Sequence, residues 1–255
     1  MGRTLSSARA RASRGLTGGS ACPTSGGSAC PTSGGSACPT WGPVEEAFES
    51  DGVCGTLHRP RNSTGDALIL THGAGSNAQA PLLVSVARAF AGAGCLVLRY
   101  DLPFRQERPK GPPIPAHAGR DREGIACAAA ALRRLATGRV FAGGHSYGGR
   151  QTAMLAAERP GLVDGLLLLS YPLHPPAQPL RKRTAFFPEL QTPALFVHGT
   201  ADPFASIEEL RQAIAAIPAP TGLLPVEGAG HDLKRGLDPP AIVERFRALV
   251  WYPGN

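Results

Sequence analysis

The 255-residue chain contains no uninterrupted run of eighteen apolar residues. A membrane-spanning helix needs about that length, so we expect none and predict no membrane partner. The N-terminus also lacks the continuous apolar core of a secretory signal. Aromatic residues make up only 6% of the chain, and no basic patch is interleaved with them. The formal charge of +7 therefore gives little support to nucleic-acid binding, and we predict none.

The first 42 residues differ in kind from the remainder. Three copies of Gly-Gly-Ser-Ala-Cys-Pro-Thr begin at Gly18, Gly26 and Gly34, and they carry few large apolar side chains. Such a segment cannot bury enough apolar surface to offset the entropy lost on ordering. Residues 1–42 are therefore predicted to be a disordered arm, and residues 43–255 a single domain. A transit peptide, or an upstream region read from a wrongly assigned start codon, stays open.

The cysteines give no sign of a metal site. Those of the repeats are eight residues apart, which is not the close spacing of a zinc knuckle, and we predict no metal. Cys95 lies in a strand-like run and Cys127 in an alanine-rich helical stretch. Both are predicted to be small core residues in a reducing compartment, which makes the cytoplasm the default location.

The segment Gly-Gly-His-Ser-Tyr-Gly-Gly at 143–149 follows a short apolar run and precedes a helix-like stretch ending at Glu158. A serine hydroxyl is a poor nucleophile unless a tight turn holds it exposed beside a base. Gly144 and Gly148 allow the neighbouring backbone to approach such a turn closely. The pattern predicts a nucleophile elbow with Ser146 at its apex, although a plain turn also fits a glycine-rich chain.

Two further residues have the context that this chemistry requires. Asp202 follows the apolar run 194–197, and His231 follows the strand-like run 222–226, so both belong to loops after strands. Their order after Ser146 is that of an acid and a base serving a nucleophile on a parallel sheet. Upstream, residues 71–77 follow another short strand, and the backbone N–H groups of Tyr147 and Ala74 are predicted to bind an oxyanion.

In these motifs the chain resembles the α/β-hydrolases, and in detail their cap-less, dienelactone-hydrolase-like members. Three motifs are similar to those of a branch that includes testis-expressed hydrolase-like proteins and a subunit of the NSL chromatin complex: residues 170–176, 148–150 and 202–204. The resemblance implies Ser146 as the nucleophile, Asp202 as the acid and His231 as the base. No metal or organic cofactor is expected.

The resemblance implies the α/β-hydrolase fold, and the order of elements agrees with it. Residues 44–50 and 53–58 flank Asp51-Gly52, which is typical of a β-hairpin at an antiparallel edge. Strands and helices then alternate, which predicts a mostly parallel sheet with helices on both faces. The gap from Tyr171 to Pro193 is too short for a lid of several helices, so we expect no large cap domain and a fairly open pocket.

Basic residues surround the expected pocket. Arg105, with its neighbours at 108 and 110, and the run 181–183 are either solvated surface or a positive field that favours anionic acyl substrates. Arg150, in the expected elbow helix, is predicted to be a structural partner of Asp101 or Asp164 rather than a contact for the substrate.

The leading hypothesis is a serine hydrolase that cleaves a small ester, thioester or related acyl substrate through an acyl-enzyme. A small-molecule acyl compound is then its partner. The competing hypothesis is a catalytically silent, hydrolase-like interaction module. A third hypothesis is that the same three residues catalyse a different reaction, such as the transfer of an acyl group to an alcohol.

Overall fold

A computed structural model describes residues 43–251 of the chain, and the predicted arm at 1–42 lies outside the described residues. Eight strands form one sheet in the order β1-β2-β4-β3-β5-β6-β7-β8. Their bounds are β1 Val44–Ser50, β2 Val53–Arg59, β3 Ala67–Thr71, β4 Leu96–Tyr100, β5 Val140–His145, β6 Leu166–Leu169, β7 Ala194–Gly199 and β8 Thr221–Val226. The first two pairings are antiparallel and the other five are parallel, which confirms the predicted architecture.

The hairpin between β1 and β2 turns where the sequence predicts it. Asp51 and Gly52 both have positive φ, at 51° and 76°. Positive φ at both central residues is typical of the type I′ turn, whose twist matches that of the two strands in a two-residue hairpin. The hairpin therefore adds an antiparallel edge to the parallel sheet.

Within residues 43–251, six α-helices cover the two faces of the sheet: α1 Pro81–Gly92, α2 Pro103–Glu107, α3 Ala118–Arg133, α4 Tyr147–Glu158, α5 Ile207–Ile214 and α6 Pro239–Phe246. Side chains of β3 alternate between the faces, because successive residues of a strand point in opposite directions. Leu68 and Leu70 belong to the same apolar layer as buried residues of α1 and α6, whereas Ile69 belongs to the layer that contains buried residues of α3, α4 and α5. The core is therefore two apolar layers separated by the sheet.

Several short helical segments add to this alternation of strands and helices. The short helix α2 was not predicted; it begins at Pro103, a position where proline costs no hydrogen bond. The last helix ends at Phe246 and continues as a π-helical turn over Arg247–Trp251. Between Tyr171 and Pro193 there is one helical turn, Phe187–Glu189, which confirms that no helical lid is inserted there.

The cysteine predictions have mixed outcomes. Cys95 is fully buried beside β4, as predicted, but Cys127 is exposed on α3, and the expectation that it belongs to the core is wrong. The buried positions of that helix belong instead to other residues: Asp121, Ile125, Ala128, Ala129, Ala131 and Leu132. No helix within residues 43–251 is long and apolar enough to cross a membrane.

Candidate active site

Ser146 occupies the sharp turn between β5 and α4. Its φ is 51° and its ψ is −114°, a backbone conformation that a residue with a side chain rarely adopts and that costs about 1–3 kcal/mol. The backbone N–H of Ser146 donates to the Leu169 carbonyl at 2.9 Å, at the end of the neighbouring strand β6. The strained turn is thus attached to the sheet and exposes its serine at the carboxyl edge.

Two glycines of the elbow are required by close approach to β3. A Cβ on Gly144 would lie 2.1 Å from Thr71 Oγ1, and a Cβ on Gly148 would lie 2.4 Å from the same atom. Thr71 Oγ1 in turn donates to the Gly143 carbonyl at 3.0 Å. The elbow therefore packs directly against the end of β3, where the loop containing Ala74 begins.

Ser146, His231 and Asp202 form one continuous chain of hydrogen bonds. His231 Nε2 lies 2.7 Å from Ser146 Oγ, and His231 Nδ1 lies 2.8 Å from Asp202 Oδ2. The carboxylate accepts, so Nδ1 carries the proton and Nε2 is free to accept the serine proton. The structure brings these three predicted residues together although 85 residues separate Ser146 from His231.

The side chain of Asp202 is fully buried and is held by its own loop. Its Oδ1 accepts the backbone N–H of Phe204 at 2.9 Å, which leaves Oδ2 facing His231. The Phe204 ring lies 4.2 Å from the His231 ring at an angle of 32°, so it covers one face of the imidazole. Sequence reasoning missed the role of Phe204, although its position two residues after the predicted acid was the available signal.

The other carboxylates near this sequence pattern serve different partners. Asp232 lies 2.7 Å from Lys234 Nζ, in an exposed ion pair. Asp164 accepts from Arg133 Nη1 at 3.0 Å and from the backbone N–H of Val140 at 2.7 Å, at the beginning of β5. Asp164 therefore lies at the opposite end of β5 from Ser146.

The loop after β3 is organised by His72. His72 is fully buried, and its Nε2 accepts the backbone N–H of Leu102 at 3.1 Å. The proton is then on Nδ1, which donates to the Gly73 carbonyl at 2.9 Å. The Gly73 carbonyl also accepts the N–H of Ser76 at 3.1 Å. Two hydrogen bonds therefore hold the oxygen of the peptide group between Gly73 and Ala74, whose nitrogen is the N–H of Ala74.

Arg105 holds the same loop from the other side. It is 6% exposed, and its guanidinium donates to four backbone carbonyls. Nε reaches Ser76 at 2.8 Å, Nη2 reaches Ala74 at 2.8 Å and Gly111 at 3.1 Å, and Nη1 reaches Arg108 at 3.1 Å. Arg105 is thus committed to backbone carbonyls of two loops, which the sequence alone did not indicate.

His145, next to the elbow serine, connects three segments of the site. Its Nε2 donates to the backbone carbonyl of His231 at 2.7 Å. A Cβ on Gly73 would lie 2.9 Å from His145 Nδ1 and 3.5 Å from Ser146 Cβ. Burial lowers the pKa of His145 to about 4, so the ring is neutral near pH 7. A neutral imidazole carries one ring proton, and the hydrogen bond to the His231 carbonyl places that proton on Nε2.

A cleft of about 360 Å³ opens beside Gly73 and His145. One wall consists of four apolar residues at the start of α1, Ala80, Pro81, Leu82 and Leu83, and the rim carries Asp232 and Lys234. Ligand clefts span roughly 300–1,000 Å³, so this one is near the small end of the range.

Arg150 has a different neighbourhood from the one predicted. Asp164 pairs with Arg133, and Asp101 Oδ1 accepts the backbone N–H of Ala78 at 2.7 Å, so the expected pairing of Arg150 with either acid is wrong. Arg150 lies close enough to Tyr171, the second residue after β6, to influence its ionisation. Burial raises the pKa of the Tyr171 hydroxyl, and the positive charge of Arg150 partly offsets that rise. Within the described part of the chain, no three His, Cys, Asp or Glu side chains are grouped so as to hold a metal ion.

Comparisons with known proteins agree with this architecture. Residues 64–238 match the family described as "Alpha/beta hydrolase domain". A dienelactone hydrolase from Anabaena variabilis superimposes with a TM-score of 0.66 at 23% identity, covering 82% of this chain and 99% of that one. A lid-less α/β serine hydrolase from Xanthomonas campestris gives 0.65 at 18% identity, covering 85% and 98%. Est1E from Butyrivibrio proteoclasticus superimposes with a TM-score of 0.62 at 18% identity, covering 79% of this chain and 97% of that one.

At these identities the solved structures show the fold, and the family match covers most of the chain. The chain belongs to the α/β-hydrolase domain family.

Proposed function

We propose that this protein is a serine hydrolase that cleaves a small ester, thioester or related acyl compound through an acyl-enzyme. The observation that carries the proposal is the unbroken hydrogen-bond chain from Ser146 through His231 to Asp202, with distances of 2.7 and 2.8 Å. In this chain of bonds His231 Nδ1 donates to Asp202, and His231 Nε2 accepts from the Ser146 hydroxyl, which is the arrangement that nucleophilic catalysis needs.

In the proposed first step, His231 Nε2 takes the proton of Ser146 as Oγ attacks the carbonyl carbon of the substrate. The carbonyl electrons move to oxygen, and the resulting oxyanion is bound by the N–H groups of Tyr147 and Ala74. When the tetrahedral intermediate collapses, His231 gives its proton to the departing alcohol or thiol. Asp202 keeps the imidazole in the required tautomer and stabilises its protonated form.

In the second step, water attacks the acyl-enzyme with His231 again accepting the proton. The acid product leaves, and Ser146 recovers its proton. This sequence needs only the chain's own residues and water, so no metal or organic cofactor enters the proposal.

The proposed oxyanion donors are supported by how they are held. Tyr147 is the first residue of α4, and the first N–H groups of a helix have no partner in the preceding turn. Ala74 belongs to the loop organised by His72 and Arg105, and Gly73 of that loop lies against Ser146. Both donors are therefore on rigid backbone, as preorganised stabilisation requires.

The cleft beside Gly73 suits a small apolar part of such a substrate. Its apolar wall at the start of α1 favours burial of an aliphatic or aromatic group. We further propose that the chain belongs to the dienelactone-hydrolase-like branch with the testis-expressed and NSL-related proteins, and that it acts in the cytoplasm. The three cysteines in the described residues are all free, which supports a reducing compartment.

Fluorophosphonate labelling of the purified full-length chain tests the proposed function. An activated serine should label rapidly, and Ser146→Ala should abolish labelling and reduce ester hydrolysis by about 10⁶-fold if the three residues act as a unit. Ser85→Ala, which removes an exposed hydroxyl on α1, is the matched control and should label like the wild type. A folded wild-type protein that does not label and cleaves no ester would favour the silent interaction module.

A further inference from the structure

We propose that Asp121, on α3, is a positioning residue that holds the two proposed oxyanion donors in one fixed arrangement. It acts through the hydroxyl of Tyr147 on one side. On the other side it acts through α2, the helix that holds the loop of Ala74. The inference rests on the proposed function and assigns to it a residue that belongs to none of the sequence motifs.

Asp121 is a buried carboxylate whose two oxygens bond two different segments. It is 1% exposed and lies in the first turn of α3. Its Oδ2 accepts the hydroxyl of Tyr147 at 2.6 Å, and its Oδ1 accepts the backbone N–H of Phe104 at 3.0 Å. In the described part of the chain it forms no ion pair with Arg, Lys or His. Its charge therefore depends on these two hydrogen bonds and on the positive end of the helix dipole.

The bond to Tyr147 fixes the residue that follows the elbow serine. Burial first, and the bond to Asp121 second, raise the pKa of the Tyr147 hydroxyl above its usual range, so the hydroxyl keeps its proton and donates it. Tyr147 is the first residue of α4, and its ring packs edge-on against the Phe104 ring with 5.6 Å between the centroids. The N–H proposed as an oxyanion donor belongs to the same residue, so a displaced side chain also changes the direction of this N–H.

The bond to Phe104 fixes the segment that holds the loop of Ala74. On one side of Phe104, the N–H of Leu102 donates to His72 Nε2 at 3.1 Å. On the other side, the guanidinium of Arg105 donates to the Ala74 carbonyl at 2.8 Å. The Phe104 ring also contacts the His72 ring, with 5.4 Å between the centroids. A shift of Phe104 therefore reaches both groups that hold the loop.

α2 is seated directly on α3, which makes this connection short. A Cβ on Gly124 of α3 would lie 2.6 Å from Cγ of Pro103, the first residue of α2. Gly124 lies three residues after Asp121, on the next turn of the same helix. The carboxylate and this close contact thus hold the beginning of α2 together.

One carboxylate therefore bonds both segments that carry the proposed donors. Strands β3 and β5 already bring these segments side by side at the sheet, and Asp121 joins them a second time on the α3 side. Two N–H groups stabilise an oxyanion best when both point at its position before it forms. Loss of the carboxylate should thus reduce kcat, which depends on the transition state, more than it changes KM for a neutral ester.

Kinetics on a 4-nitrophenyl ester test this role. Asp121→Ala should lower kcat about 10- to 100-fold, with KM within about threefold, because a displacement of about 1 Å at a catalytic group has an effect of that size. Asp121→Asn should recover most of the loss, since its amide can accept from Phe104 and donate to the Tyr147 oxygen. Tyr147→Phe alone should also lower kcat. Added to Asp121→Ala, it should lower kcat by less than about twofold more, because both changes break the same bond.

Arg122→Gln is the matched control, because Arg122 is the neighbour of Asp121 and bonds α4 without touching Tyr147. Its Nη1 donates to Gln151 Oε1 at 3.0 Å, and its Nε donates to Glu158 at 3.0 Å. Whatever this variant does to the melting temperature, its kcat should stay within about twofold of the wild type. A folded Asp121→Ala protein with the wild-type kcat, or an equal fall of kcat in Arg122→Gln, would overturn the proposal.

Amide NMR separates this inference from the proposed function. In the full-length chain labelled with nitrogen-15, Asp121→Ala should shift the backbone resonances of both Ala74 and Tyr147, whereas Arg122→Gln should shift neither. Both shifts in a protein that cleaves no ester would retain the connection made by Asp121 and overturn the hydrolase. Ester cleavage with an unchanged kcat in Asp121→Ala would do the reverse. If Asp121→Ala does not fold, Tyr147→Phe decides by its kcat and by the resonance of Ala74, since it removes only the hydroxyl.

Discussion

His145 Nε2 donates a 2.7 Å hydrogen bond to the backbone carbonyl of His231. The residue beside the elbow serine therefore holds the main chain of the histidine that hydrogen-bonds that serine. The two rings lie 5.1 Å apart, and His145 also packs against Gly73. Replacing His145 should therefore alter the positions of the elbow, the His231 loop and the loop that contains Ala74 at the same time.

Replacing His145 tests this connection. His145→Leu should lower kcat for ester hydrolysis by up to about 10²-fold with little change in KM, because a displacement of about 1 Å at a catalytic group has an effect of that size. His145→Gln should recover most of the loss, since its amide nitrogen can supply a donor near the Nε2 position. Equal losses in both variants, with equal losses of stability, would assign His145 a merely structural role.

The same residue makes stability depend on pH. Its pKa of about 4 in the folded protein lies below the value of about 6.5 in an unfolded chain. Between these pH values the unfolded state binds more protons, so His145 lowers stability as pH falls from 6.5 towards 4. The groups acting on it electrostatically are His231, Asp202 and Asp232.

Urea unfolding at pH 7 and pH 5 measures this dependence. The loss of unfolding free energy between the two pH values should be smaller in His145→Gln than in the wild type, by an amount on the order of 2 kcal/mol. His58 is fully buried and its pKa is also about 4, mainly because of burial, so some dependence should persist in the variant. Identical losses in the two proteins would contradict the assignment to His145.

The three candidate acids can be ranked by substitution. Asp202→Asn should reduce kcat by roughly 10⁴-fold, because an amide no longer keeps His231 in the required tautomer. Asp232→Asn and Asp164→Asn should change kcat less than about tenfold, since these carboxylates pair with Lys234 and Arg133. All three are measured on a 4-nitrophenyl ester at neutral pH. A crippling effect of Asp232→Asn or Asp164→Asn would show that the acid is wrongly assigned.

Arg105 is expected to support catalysis through the loop that contains Ala74. Arg105→Met removes donors from four carbonyls, and we expect kcat to fall roughly 10- to 100-fold, less than or close to the effect of losing an oxyanion donor outright. KM for a neutral ester should change little. The matched control is Arg108→Gln, because exposed Arg108 donates to the Pro112 carbonyl of its own loop. Similar kinetics for the Arg105→Met and wild-type proteins would refute this role.

Most of the fold was accessible from local patterns. The Asp51-Gly52 turn, the buried strands and the alternation with helices reflect backbone preferences and side-chain periodicity that act over a few residues. The exceptions are instructive: α2 is only five residues long and lies below the length at which a pattern can be recognised, and Cys127 lies on the exposed side of a helix rich in small residues. In that helix the alanines leave too weak an amphipathic pattern to identify the buried face.

The sequence by itself determined the order Ser146, Asp202, His231 and the loops that carry them, because tight turns and strand ends are coded by neighbouring residues. Only the tertiary structure decided that Arg105 holds the loop of Ala74, that His145 bonds the His231 backbone, and that Arg150 acts on Tyr171 rather than on Asp101 or Asp164. A long side chain reaches several possible partners, and its choice depends on which carbonyls and charges the packed helices and loops bring within about 3 Å. That proximity arises between segments far apart in sequence, so no local pattern encodes it.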